Sequence, residues 1–169
     1  MFILKILVTY STRTGNTKKV AEAIHEEINK DKSIIDMKDL SNLDGYDLIF
    51  FGCPIETFGP SKEVRDFLKK HTTKKNIALF ITHGSPELSD YLLPWIEESK
   101  NCLDKTANLL GVFTCQGEVA QFVMDHMSKS DDPTLQYFAK ESPKSKGQSD
   151  KTRINKAKEF EREILSKSI

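Results

Sequence analysis

Cysteine is scarce in this chain. Among 169 residues there are three, Cys53, Cys102 and Cys115, an odd number with no CxxC pair. That pattern excludes a secreted disulfide framework and a zinc site of Cys/His spacing, and it fits reduced thiols in a cytoplasmic protein with no metal. A surplus of charge is missing too: 25 Lys+Arg offset 25 Asp+Glu, for a formal net charge of zero. Nucleic-acid binders carry a basic excess and disordered chains an excess of one sign, so neither class is expected. Long apolar runs are absent. No stretch approaches the ~20 residues that a membrane span needs. The apolar start Met1–Tyr10 has neither a basic leading region nor a small-residue cleavage site, so no secretory leader is expected.

What remains is a chain with 38% hydrophobic and 30% charged residues. Its length suits one domain, 1–169, large enough to bury a solid core. Short apolar runs alternate with longer amphipathic ones. Phe2–Val8, Ile34–Met37, Tyr46–Gly52, Asn76–Thr82 and Gly111–Gln116 predict strands. Thr17–Asn29, a stretch from Pro60-Ser61, a long stretch Leu88–Leu110 entered or kinked at Pro94, and Val119–Met127 predict helices. Segment 128–150, rich in Ser, Lys and Asp with Pro133 and Pro143, predicts a loop. Residues 151–168 predict a final helix, with Ile154, Ala157, Phe160 and Ile164 at helical spacing. Strands alternating with helices imply an α/β three-layer sandwich around a five-stranded parallel sheet of order 2-1-3-4-5. Ligands of such sheets sit beyond the carboxyl ends of the strands, so the loops after strands 1, 3 and 4 matter most.

The loop after strand 1 reads Thr9-Tyr-Ser-Thr-Arg-Thr-Gly-Asn-Thr17. Its hydroxyls at 9, 11, 12, 14 and 17 exceed what a helix cap needs. Together with the backbone N–H groups of a helix start and the freedom of Gly15, they can hold a terminal phosphate without metal or lysine. Neither the Walker A pattern nor GxGxxG is present.

The core Thr12-Arg13-Thr14-Gly15-Asn16-Thr17, following Ser11 and a first strand, resembles the [ST]-x-T-G-x-T phosphate loop of the flavodoxin family. The resemblance implies a flavodoxin-like fold and FMN as cofactor, with Ser11, Thr12, Arg13, Thr14, Gly15, Asn16 and Thr17 around its phosphate. It also implies that Pro54, Ile55, Glu56, Thr57, Phe58 and Gly59 lie along the flavin ring. Phe58 either walls the ring or packs under the following helix, and Phe58-Gly59 is the candidate for a peptide that flips on reduction. Thr82, His83, Gly84 and Ser85 are expected at the pyrimidine edge of the ring. Tyr91 either stacks on the ring or packs on the core from the first turn of a helix, and Gln116 lines the site.

The function so implied is electron transfer between redox partner proteins, by a monomer or weak dimer. Two alternatives share the fold: an FMN-dependent NAD(P)H or quinone reductase, and an FMN-binding subunit of a larger reductase with 128–150 as a docking element. Glu56, Glu87 and Asp90 are expected to lower the second reduction potential of the flavin. Flavodoxins are typically acidic, whereas here Arg13, Lys18, Lys19 and Lys62 mix with those carboxylates. The balance implies weaker electrostatic steering of partners than in an acidic carrier.

Overall fold

A computed structural model describes residues 2–168; Met1 and Ile169, the two ends of the expected domain, lie outside the described residues. Five strands form one sheet: β1 (Lys5–Tyr10), β2 (Asp31–Asp36), β3 (Leu48–Pro54), β4 (Asn76–His83) and β5 (Asn108–Gln116). All pair in parallel, in the order β2-β1-β3-β4-β5. Six helices connect and cover them: α1 (Asn16–Glu27), α2 (Lys62–His71), α3 (Leu92–Asn101), α4 (Gln121–Ser128), α5 (Pro133–Glu141) and α6 (Lys151–Lys167). The expected α/β architecture and strand order are those of the structure.

The central strands are apolar on both sides because helices cover both faces. Phe50 and Phe80 face a core that includes Val20 and Ile24 of α1 and Phe160 and Ile164 of α6. Ile49, Phe51, Leu79 and Ile81 face a second core with Val64 and Leu68 of α2, and Ile96 of α3 packs against it. Burying one such side chain fully is worth about 1.5–3 kcal/mol. Ser61 starts α2 by accepting a hydrogen bond from the Val64 amide, and Asp150 starts α6 by accepting one from the Arg153 amide.

Three expectations are corrected. The stretch Leu88–Leu110 is not one helix. α3 ends at Asn101, a turn follows in which the Asp104 carboxylate accepts from the Thr106 amide, and Leu109 already pairs with Ile77 in the sheet. The apolar run of a buried strand continued the helical pattern and concealed the boundary. Segment 128–150 is not simply a loop, because Pro133–Glu141 is helical. Asp132 caps it through the Thr134 amide and Pro133 occupies its first turn. β1 begins at Lys5, not Phe2, because its neighbour β2 begins opposite that residue.

Gly52 of β3 is required by close approach. A Cβ there would lie 2.0 Å from the Phe80 ring, and Phe80 is fully buried with no room to retreat. Gly52→Ala should cost roughly 2–3 kcal/mol, as overpacking a tight core does, seen as a lower urea midpoint with an unchanged m-value.

Candidate functional site

The parallel register brings the carboxyl ends of β1, β3, β4 and β5 to one edge, where the predicted residues meet. Gly15 stands at the N-terminus of α1 with φ of 93°, the left-handed region that glycine tolerates. No side chain caps the helix, and its first turn holds no acidic residue. The Gly15 amide donates to the Thr12 hydroxyl at 3.1 Å. Among the described residues, the backbone N–H groups of Thr14, Asn16 and Thr17 find no protein acceptor. These donors, the dipole of α1 and the loop hydroxyls suit an anion. The donor set therefore fits a phosphate.

The loops are tied to one another. Thr17 and Thr82 share a buried hydroxyl–hydroxyl hydrogen bond of 2.8 Å, which joins α1 to the end of β4. The Thr82 hydroxyl is thus turned toward Thr17. The Thr82 carbonyl accepts from the Ile55 amide at 2.8 Å, and the Gly52 carbonyl accepts from the Ser11 amide at 2.9 Å. Asn16 Nδ2 donates to the Glu118 carbonyl at 2.8 Å, so the phosphate-loop candidate also touches the chain after β5. Across the mouth, Arg13 Nε pairs with Glu56 Oε1 at 2.5 Å.

The segment after β3 closes as a tight turn. Glu56 and Gly59 exchange backbone hydrogen bonds of 2.7 and 3.2 Å around Thr57 and Phe58. Those two residues have φ of 48° and 68°, the pattern of a type I′ turn built without glycine. Each left-handed non-glycine residue costs about 1–2 kcal/mol. Strain sits on Thr57 and Phe58, while Gly59 is outside the left-handed region. A Cβ at Gly59 would meet only the ends of the Arg65 and Glu98 side chains, at 2.7 and 2.8 Å, which can shift. Pro54 and Ile55 are half-buried beside this turn.

After β4, His83 is only 4% exposed, and its Nδ1 lies 2.9 Å from the Ser85 carbonyl. A carbonyl only accepts, so Nδ1 carries the proton and Nε2 is an acceptor, with no partner in its buried setting. Burial pulls the His83 pKa down to about 4, against the hydrogen bond to Ser85, which raises it. Gln116 Nε2 donates to the Gly84 carbonyl at 3.2 Å, and a Cβ on Gly84 would meet Val119 at 2.5 Å. Glu87 does not stand as a lone charge. Its Oε1 accepts from Arg153 Nε at 2.6 Å and from the Gln116 amide at 3.2 Å.

Tyr91 stands just before α3, 43% exposed and outside both cores. Its ring packs on Phe138 at 5.1 Å, Tyr137 at 5.8 Å and Trp95 at 6.4 Å. Phe58 packs on Trp95 at 5.9 Å, on α3 and not under α2. Trp95, Tyr137, Phe138 and Arg153 were missed from sequence. Asp132-Pro133, a cap followed by proline, was the signal that Tyr137 and Phe138 lie on a helix. The thiols near the site are quiet: burial pushes the Cys53 thiol up to about 12 and also raises that of Cys115.

The family model for the flavodoxin domain matches residues 7–160. The chain is 37% identical over 122 residues to the flavodoxin-like domain-containing protein BilS of Clostridioides difficile (strain CD3), covering 70% of this chain and 69% of that protein. A solved flavodoxin from the domain Archaea superposes with a TM-score of 0.59 at 17% identity, covering 97% of this chain and 98% of that one. A Lactobacillus acidophilus NCFM flavoprotein, solved in complex with FMN, superposes with a TM-score of 0.50 at 20% identity, covering 67% and 93%.

His83 makes stability depend on pH with a defined sign. Its folded pKa of about 4 lies below the ordinary 6.5, so its contribution is complete above about 6.5. As pH falls from there toward 4, the unfolded chain takes up a proton that the folded chain refuses, and stability is lost. The full loss is on the order of 3 kcal/mol. Urea unfolding at pH 7.5, 5.5 and 4.5 should show a steeper decline for the wild type than for His83→Gln; equal slopes would remove His83 from the account.

Proposed function

The chain belongs to the flavodoxin domain family, and on that basis we propose that it binds FMN and carries electrons between redox partner proteins. The observation that carries this reading is the start of α1: unpartnered backbone donors, no capping side chain, Gly15 at φ of 93° and a row of hydroxyls. Ser11, Thr12, Arg13, Thr14, Gly15, Asn16 and Thr17 would hold the phosphate. The 54–59 turn and the 82–85 segment, with Gln116 beyond it, would flank the ring. Bound FMN supplies one- and two-electron redox chemistry.

The protein's own part is to hold and tune. Thr17 and Thr82 keep the phosphate loop and the ring loop in fixed relation. Phe58, 36% exposed, offers an apolar surface beside the turn. Of the three carboxylates expected to depress the potential, Glu87 is paired with Arg153, which mutes its charge. The potential is therefore set less negative than three free carboxylates would set it.

Protein mixed with FMN and passed through a desalting column should emerge yellow at one flavin per chain; colourless protein would overturn the reading. Anaerobic stopped-flow mixing of the loaded protein with NADPH should leave the flavin oxidised over seconds, whereas rapid bleaching would make it a reductase. Glu56→Gln should raise the second reduction potential by about 20–40 mV, the scale of one screened charge beside the ring. A spectroelectrochemical titration that finds no change would discard Glu56 as a tuning group.

A further inference from the structure

Arg13 stands between the hydroxyls of Thr12 and Thr14, in the middle of the loop that would receive the phosphate. The neighbouring cations are engaged elsewhere. Lys18 lies 3.9 Å from Glu22 on the outer face of α1, and Lys19 Nζ donates to the Ser149 carbonyl at 2.6 Å. Arg13 instead reaches across the mouth to Glu56, and the two ends of that pair differ. The Arg13 side chain is 68% exposed, whereas that of Glu56 is 23% exposed and sits on the strained Thr57-Phe58 turn. An exposed pair of this kind holds weakly. A guanidinium binds a phosphate through two parallel charge-assisted hydrogen bonds, which are stronger.

We propose that Arg13 is the specificity-determining residue for the phosphate of the ligand, exchanging between Glu56 and that phosphate. The exchange couples the two loops. A phosphate at the 11–17 loop draws Arg13 away and leaves Glu56 and its turn without their clamp. The turn carries Phe58, which packs on Trp95 at 5.9 Å, and Trp95 is the one tryptophan of the chain. Release of the clamp is therefore visible in tryptophan emission. A second carboxylate within electrostatic reach of Arg13 is Glu63 in the first turn of α2. Its carboxyl is held below the usual range by its own backbone amide and Ser61, and by Arg13 as a smaller effect. Fully exposed and already hydrogen-bonded, it serves as the control.

The proposal rests on the FMN reading for the identity of the ligand, but one arm of the test does not. Inorganic phosphate is titrated into flavin-free protein while Trp95 emission is followed. The wild type and Glu63→Gln should respond alike, and Arg13→Gln and Glu56→Gln should not respond. In the second arm, affinities for FMN and for riboflavin are compared by flavin fluorescence. Arg13→Gln should narrow the preference for FMN over riboflavin about tenfold or more, the scale of one charge-assisted contact. Glu56→Gln should bind FMN up to about fivefold more tightly, because nothing then competes for Arg13. Arg13→Lys, which keeps the charge but loses the fork, should fall between. Equal phosphate responses in all four proteins, or a Glu56→Gln protein that binds FMN no tighter, would overturn the proposal. A phosphate response lost in both variants, with no FMN bound by any protein, would uphold the exchange and overturn the FMN reading.

Discussion

A single buried hydrogen bond, Thr17 to Thr82, decides where the loops of this sheet edge lie. The two residues are 1% and 2% exposed, so neither hydroxyl has water to fall back on. Loss of one would strand the other, at a cost of about 1–3 kcal/mol. Because Thr82 also accepts the Ile55 amide through its carbonyl, the start of α1, the end of β4 and the segment after β3 share one anchor. The sheet register supplies the rest: with β1, β3 and β4 in parallel and in register, their ends reach the same level and leave the loops side by side.

Above that anchor the charges are arranged in local pairs. Arg13 faces Glu56, Arg65 faces Glu98, Lys62 faces Asp66, and Arg153 holds both Glu87 and Asp150. The neutrality of the whole chain thus recurs at the edge that would carry the cofactor. A surface of this kind would steer a charged partner only weakly at a distance.

Much of this was legible in the sequence. Strands buried on both faces are continuous apolar runs, and their alternation with helices left one reasonable strand order. The 11–17 loop was legible because its hydroxyls outnumber any capping need. What escaped depended on contacts between distant residues or on competing local signals. Composition hid α5, since Ser, Lys and Asp outweighed the Asp132-Pro133 start. The packing of Tyr91 on Phe138 and the pairing of Glu87 with Arg153 join segments that nothing local connects. The strained turn escaped as well, because Thr57 and Phe58 are poor residues for a left-handed conformation.

The connection between β5 and α6 has a further consequence. The Glu118 amide donates to the Gln148 carbonyl at 2.9 Å, and the Val119 amide to the Ser145 hydroxyl at 2.9 Å. The α4–α5 hairpin therefore leaves and rejoins the sheet at almost the same point, like a stitched-in loop with its own seam. Such a piece is held to the sheet at one seam and otherwise leans, through Tyr137 and Phe138, on Tyr91 and Trp95, so a change in its outer surface reaches the strand ends through few contacts.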